Sequence, residues 1–207
     1  MKGLIGKKIG MTRQFDESGR AVPVTVIQAG PCVVTQVKTV ASDGYDAVQI
    51  GFGSTKPKNT PLPLQGHFRH AGISDMPRVM REFVSEGTPA CKPGDLLDVS
   101  VLVGIAQVDV TGVTKGRGFA GTIKRWNYHR GPAAHGSKNV REPGSIGMHT
   151  KPGRVIKGKH LPGHMGAKRE TKKNLTVFKI DPERNLLLVK GSVPGHKNGI
   201  VYIRPSR

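Results

Sequence analysis

Residues 106–118 read Ala106-Gln107-Val108-Asp109-Val110-Thr111-Gly112-Val113-Thr114-Lys115-Gly116-Arg117-Gly118, and the character of the sequence changes within this run. Up to Val113, valines alternate with polar residues, which is the period of a half-buried β-strand. From Thr114 onward, glycine and basic residues replace that pattern. The run therefore predicts the point at which the chain leaves a β domain.

A basic, glycine-rich segment follows. Between Gly112 and Lys173, 15 basic residues stand against two acidic ones, so these 62 residues carry +13 of the formal net charge of +19. They also hold 12 of the 28 glycines. From residue 127 on, the few large apolar residues follow neither strand nor helix period, so the segment buries too little apolar surface to fold alone. We expect it to be mobile by itself and ordered by a polyanion, with a disordered basic linker as the alternative.

Short strands are predicted on both sides of this segment. They are Ala21–Ala29, Cys32–Val40, Asp46–Phe52, Val79–Val84, Leu96–Val103 and Ala106–Val113 before it, and Leu175–Ile180, Leu186–Lys190 and Ile200–Ile203 after it. Such short strands, separated by Gly, Pro and Asn, indicate an antiparallel sandwich or a small barrel. Helices are scarce, with candidates at Phe119–Trp126 and Leu64–Ala71.

We therefore expect a mainly β body built from residues 1–111 and 174–207. Residues 112–173 are expected to form a long, mostly irregular basic extension inserted between strands. Because an extended residue covers about 3.3–3.6 Å, such an excursion can reach several tens of ångströms. That reach suits a cleft in folded RNA.

Several other classes of protein are disfavoured. No apolar stretch approaches the roughly 18–20 residues that span a bilayer, so we expect no membrane partner. The basic start lacks the pattern of a signal peptide, and Cys32 and Cys91 stand in no paired motif, which favours free thiols in a reducing cytosol. We expect a cytoplasmic protein.

A formal G-x-G-x-x-G motif, Gly116–Gly121, follows a predicted strand and precedes a candidate helix. In a dinucleotide-binding fold an acidic residue should end a second buried strand about twenty residues later. Glu142 lies at that distance, but in a basic stretch punctuated by Gly and Pro. The glycines are better explained by close backbone approach to phosphates.

Metal and nucleophile motifs are incomplete as well. His160 and His164 are four residues apart, but the intervening Leu161-Pro162-Gly163 would break a helix, and no nearby Cys or acid completes a zinc site. Ser137 lies near His135 without a nucleophile elbow. We therefore expect that the protein is not an enzyme and that it binds no cofactor, metal or small-molecule substrate.

The residues predicted to contact RNA are mostly cations of the extension, together with imidazole and indole groups that can stack or hydrogen-bond. They are Lys115, Arg117, Lys124, Arg125, Trp126, Arg130, His135, Lys138, Arg141, His149, Lys151, Arg154, Lys157, Lys159, His164, Lys168 and Arg169. For Trp126, the alternatives are stacking on a base or anchoring the extension to the β body. A smaller cluster of Lys2, Lys7, Lys8 and Arg13 is either a second RNA contact or a solvated strand face.

Several sequence strings also resemble a known family. They are Met1–Thr12, Val22–Val26, Asp43–Gln49, Gly66–Phe68, Thr114–Gly118 through Trp126-Asn127, Gly131-Pro132, His135–Lys138, Pro143–Gly147, Pro152–Val155, Leu161–Gly166 and Leu187–Gly191. In this order, and nearly from end to end, the chain is similar to the bacterial ribosomal protein L3 family of the large subunit.

The resemblance implies a small closed antiparallel β-barrel of the translation-protein type, with its extension directed toward the peptidyl-transferase centre. It also implies a structural constituent of the 50S subunit that binds 23S ribosomal RNA near its 3′ end, supports assembly and contacts ribosomal proteins L14 and L19. Many members carry a glutamine methylated on its side-chain amide at the tip of the extension. The matching residue here is Thr150, which has no amide, so no such modification is expected.

Overall fold

The computed structural model describes residues 3–85, 87 and 90–206. Its strands are β1 (Leu4–Phe15), β2 (Ala21–Ala29), β3 (Cys32–Lys38), β4 (Ala47–Ser54), β5 (Pro77–Val84), β6 (Leu96–Leu97), β7 (Gln107–Val113), β8 (Phe119–Ala120), β9 (Gly163–His164), β10 (Arg169–Asp181), β11 (Leu186–Lys190) and β12 (Ile200–Pro205). The α-helices are α1 (Val40–Asp43), α2 (Leu62–His70) and α3 (Thr122–Trp126), and Pro57–Asn59 and Val99–Leu102 form 3-10 turns. The mainly β class is thus confirmed.

The chain divides into two compact units. The first, called the β unit here, runs up to Thr114 and resumes at Arg169, while the second, the extension unit, is Lys115–Lys168. Backbone pairing explains why these limits lie inside the predicted ones. Arg169 pairs with Val113 and Lys172 with Val110, so β10 takes in basic residues that the sequence assigned to the extension.

Six strands of the β unit pair in a closed ring with the order β1-β12-β7-β10-β11-β2, and every pairing is antiparallel. A second sheet has the order β5-β4-β3-β6. One core cluster includes residues of both sheets, among them Ile5, Val34, Val48, Val110 and Ile203, all fully buried. Burial of each such aliphatic side chain contributes about 1.5–3 kcal/mol to stability.

Strand β2 alternates in burial only from Thr25 onward, and its buried face differs from the predicted one. Val24 is fully buried, as are Thr25, Ile27 and Ala29, whereas Val22 and Val26 are half-buried. The hydroxyl group of Thr25 donates to the carbonyl oxygen of Gly191 at 2.6 Å, which explains how a polar side chain is tolerated there.

Both cysteines are free. The thiol of Cys32 is buried and donates to the carbonyl oxygen of Ile5 at 3.3 Å. Burial raises the pKa of the Cys32 thiol to about 11, because the thiolate would lose its hydration. An unreactive thiol is therefore expected at position 32. Among the residues that the structure describes, none of the helices is both long and apolar enough to cross a membrane.

Candidate nucleic-acid interface

The extension unit begins and ends with two paired segments, called here the first leg (Lys115–Trp126) and the second leg (His160–Lys168). Strand β8 pairs with β9, with Phe119 opposite His164. Beyond the strands, the amide of Arg117 donates to the carbonyl of Met165 and the amide of Met165 donates to the carbonyl of Gly118, both at 2.9 Å. Backbone hydrogen bonds therefore join the legs into a hairpin stem.

Glycine permits close chain crossing within this unit. Gly166 has φ of +75°, and a Cβ atom there would overlap the carbonyl oxygen of Lys115. A Cβ atom at Gly131 would likewise overlap the carbonyl oxygen of Asn139. These two glycines thus serve contacts between protein backbones, in addition to the approach to phosphates predicted for the glycines of the extension.

Helix α3 places two side chains of the first leg against the second leg. Arg125 Nη1 donates to the carbonyl oxygen of Leu161 at 2.7 Å, and Trp126 Nε1 donates to the same oxygen at 3.0 Å. The Trp126 ring is stacked on His160, with centroids 3.9 Å apart and planes inclined by 6°. The guanidinium of Arg125 lies 5.1 Å from the centre of the Trp126 ring.

For Trp126 the structure shows an arrangement that neither sequence-based alternative described. The indole contacts another residue of the extension unit, His160, and it is still 39% exposed. Its stacking partner and its hydrogen-bond acceptor both come from the second leg. Sequence reasoning missed this contact because 34 residues separate Trp126 from His160, and no local pattern records such a pairing.

The predicted RNA contacts of the extension are nearly all exposed. These are Lys115, Arg117, Lys124, Trp126, Arg130, His135, Lys138, Arg141, His149, Lys151, Arg154, Lys157, Lys159, His164 and Lys168, with Arg169 exposed in the β unit. Arg125 is half-buried. The extension unit has 12 basic residues and a single acid, Glu142, so its net charge is +11. Such a surface attracts a polyanion over several ångströms.

The described residues of the smaller N-terminal cluster do not form a single exposed surface. Lys2 lies outside the described residues, Lys7 is half-buried and Arg13 is exposed. Lys8 is buried, and its ammonium group donates to the carbonyl oxygens of Val193 at 2.7 Å and Gly195 at 3.2 Å. The ammonium group of Lys8 is therefore engaged inside the β unit, and its assignment as an RNA contact stays a prediction.

Apolar side chains accompany the cations of the extension unit. Phe119 is 79% exposed and Met148 74%, and Ile156 is exposed too. Contiguous exposed apolar patches mark contact sites, whereas single exposed apolar residues are common on protein surfaces. In the sequence these residues stand alone among Gly and basic residues, a pattern that indicates no site by itself.

At the predicted tip, the hydroxyl of Thr150 is 2.7 Å from Nδ1 of His149, and both side chains are exposed. Among the described residues, no group of three or more His, Cys, Asp or Glu side chains could hold a metal ion. His160 is engaged with Trp126, while His164 belongs to β9.

An antiparallel β unit joined to a separate unit of charge +11 is typical of the nucleic-acid-binding class of proteins. A family model described as "Ribosomal protein L3" matches residues 101–186. Proteins named large ribosomal subunit protein uL3 are similar over nearly the whole chain. That of Syntrophobacter fumaroxidans is 54% identical over 99% of this chain and 97% of its own length, and that of Carboxydothermus hydrogenoformans is 52% identical over 98% and 96%. That of Thermotoga maritima is 53% identical over 100% and 98%.

The chain therefore belongs to the ribosomal protein L3 family, and the resemblance seen in the sequence is confirmed. Members of this family are structural proteins of the ribosome, not enzymes.

Proposed function

We propose that this chain is a structural constituent of the large ribosomal subunit in the cytoplasm and binds 23S ribosomal RNA directly. The observation that carries this proposal is the extension unit, whose 12 basic residues oppose one acid and are almost all exposed. Its relatives are named as large-subunit proteins. The closed ring of six antiparallel strands supports a barrel of the translation-protein type for the β unit.

The proposed mechanism is electrostatic. Lysine and arginine side chains of the extension unit neutralise phosphates, and the counterions released from the RNA drive much of the affinity. Exposed Phe119, Met148 and Ile156 pack on bases or riboses where loops of the RNA are open. The segment between the legs, residues 127–159, contains neither helix nor strand, so surrounding phosphates order it.

The location of the RNA site and the neighbouring proteins are proposed from the family resemblance. The binding site lies near the 3′ end of the 23S RNA, and the extension, proposed as residues 112–173, points toward the peptidyl-transferase centre. Ribosomal proteins L14 and L19 are neighbours, and binding supports early assembly of the 50S subunit. Thr150 stands where the methylated glutamine is found in many members, so this position stays unmodified.

The test is a binding titration of the full chain with a 23S RNA fragment from the 3′ region, at several salt concentrations. Four cations of the extension unit are changed to glutamine in one variant, namely Lys151, Arg154, Lys157 and Lys159. The matched control changes Lys56, Lys58, Arg69 and Lys92, which are equally exposed on the β unit.

We call the magnitude of the slope of log affinity against log salt concentration the salt slope. In the extension variant the salt slope should fall by about 3, since each lost phosphate contact removes roughly 0.7–0.9. The control should leave the slope within about 1 of the parent value. Equal losses in the two variants, or an affinity for duplex DNA that matches the affinity for the fragment, would contradict the proposal. Co-sedimentation of the tagged chain with large subunits after a high-salt wash tests its place in the particle.

A further inference from the structure

The two legs of the extension unit are joined by side chains as well as by backbone. Arg125 and Trp126 both donate to the carbonyl oxygen of Leu161, and Trp126 is stacked on His160. We propose that these four residues form a clip that closes the stem before RNA binds and so sets the position of the basic residues. Arg125, Trp126 and His160 are then positioning residues and do not contact the RNA. This inference rests on the proposed function. It also implies that in the free protein only residues 127–159 are mobile, and not the whole extension expected from the sequence.

Charge opposes closure of the stem. The first leg contains four basic residues, Lys115, Arg117, Lys124 and Arg125, the second leg contains Lys168, and neither leg contains an acidic residue. Because both legs are positively charged, their mutual repulsion weakens the stem most at low salt. Specific contacts offset this repulsion. The stem supplies β8–β9 pairing, buried Ala120 and Thr122, and the clip.

The carbonyl oxygen of Leu161 is the acceptor of the clip, and one of its two hydrogen bonds comes from a charged donor. A carbonyl oxygen has two lone pairs, and Leu161 uses both, one for the guanidinium of Arg125 and one for the indole N–H group of Trp126. Bonds from a charged donor are about twice as strong as neutral ones. Near-parallel rings at 3.9 Å add a stacking contact that fixes Trp126 in one orientation.

Gly163 makes room for Arg125. A Cβ atom at position 163 would lie 2.6 Å from Arg125 Nη1. Because that atom is the far end of a flexible side chain, Gly163→Ala displaces the guanidinium and leaves the backbone of β9 in place. Gly163→Ala should therefore break the hydrogen bond from Arg125 to Leu161 while the side chains of Arg125, Trp126 and His160 are all retained.

A preformed stem raises affinity by a calculable amount. The apparent dissociation constant equals the intrinsic one divided by the fraction of molecules in the binding-competent state. If loss of the clip lowers the closed fraction from nearly all molecules to about one in five, the affinity falls about fivefold. The number of phosphate contacts stays the same, so the salt slope does not change.

Trp126 reports on the clip because it is the sole tryptophan of the chain. The full-length protein, free of RNA, is studied by hydrogen exchange of the single indole N–H resonance and by acrylamide quenching of fluorescence. Exchange should be at least tenfold slower than in the urea-unfolded chain, and quenching should be reduced by half or more. His160→Ala and Gly163→Ala should lose most of this protection, whereas His129→Ala, an exposed imidazole of the same unit, should keep it.

Salt and RNA binding provide the second readout. Added salt should increase the indole protection of the free protein while weakening RNA binding, since screening relieves repulsion in the stem but also weakens phosphate contacts. His160→Ala should weaken binding to the 23S fragment about three- to tenfold at an unchanged salt slope. His160→Phe, which retains an aromatic ring for stacking, should restore most of the affinity.

Two results would overturn the clip. One is an indole N–H group that exchanges in the free protein as fast as in urea and becomes protected only with RNA. The other is a His160→Ala variant whose salt slope falls by about one, since that change is the signature of a lost phosphate contact. Failure of the parent protein to bind the fragment would instead overturn the proposed function, and the indole measurement on free protein would still decide the clip.

Discussion

The ammonium group of Lys8 lies among backbone carbonyl groups of the β unit. It donates to Val193 and Gly195, which connects β1 to the segment between β11 and β12. The neighbouring Lys7 is only half-buried, so adjacent lysines have different environments in the fold. A buried cation of this kind contributes to stability through charged hydrogen bonds, each worth about 1.5–3 kcal/mol.

Replacing Lys8 by methionine should therefore lower the free energy of unfolding by about 2–4 kcal/mol, because the buried carbonyl group of Val193 and the half-buried one of Gly195 lose their donor. Arg13→Met, on the exposed part of the same strand, is the control and should change stability by less than about 0.5 kcal/mol. Urea denaturation followed by circular dichroism measures both. Equal stability of the two variants, or a salt slope of RNA binding that falls in the Lys8 variant, would show that Lys8 serves the RNA after all.

At the scale of elements, the strands that alternation marks clearly were predicted well. Strands β2 and β11 begin and end at the predicted residues. Strand β1 was only an alternative for the N-terminal segment, because Gly and Lys interrupt its apolar residues and its burial comes from β2 and β12 on either side. The predicted strand Leu96–Val103 is broken because Asp98 Oδ1 accepts from the amide of Ser100 at 3.1 Å and caps a 3-10 turn.

The candidate interface was predictable in composition but not in geometry. Runs of Lys, Arg and Gly identify the basic segment, since charge is a property of the sequence itself. Which cations are engaged by the protein depends on contacts between distant residues, as for Lys8 with Val193 and Arg125 with Leu161. Likewise, the basic start of β10 reads as part of the extension until its backbone pairing with β7 is seen.

Gly6 and Gly10, both in β1, differ in the space available for a side chain. A Cβ atom at Gly6 would lie 2.7 Å from the carbonyl oxygen of Gln28 and 2.9 Å from Ile27 Cγ2, so the neighbouring strand would have to move. At Gly10, no heavy atom lies within 4 Å of the added Cβ. Gly6→Ala should thus destabilise the protein by about 1–3 kcal/mol. Gly10→Ala should be neutral or stabilising by up to about 1 kcal/mol, because alanine restricts the unfolded chain.

Thermal and urea unfolding of the two variants at equal protein concentration measure the difference. If Gly6→Ala were as stable as Gly10→Ala, β1 and β2 would not approach each other as closely as the structure shows.

At the scale of the whole molecule, apolar burial and charge are segregated. The large core cluster is made of β-unit residues, from Leu4 to Ile203. The extension unit holds +11 of the net charge of +19 in 54 residues. Folding of the β unit and binding by the extension unit should therefore respond to different changes in the chain.

Replacing residues 129–158 by a short Gly-Ser linker tests this separation while keeping the clip residues. The replacement removes six basic residues, Arg130, Lys138, Arg141, Lys151, Arg154 and Lys157, and one acid, Glu142. Because the core cluster is untouched, the free energy of unfolding should stay within about 0.5 kcal/mol of the parent value. The salt slope of binding to the 23S fragment should fall by as much as about 4–5, with a large loss of affinity at physiological salt.

A variant with a Gly-Ser linker of equal length in which the six cations are restored at their original spacing should recover most of the slope. Unfolding of the β unit after the replacement would show that the two units are not independent in stability, and an unchanged slope would place the RNA contacts elsewhere in the chain.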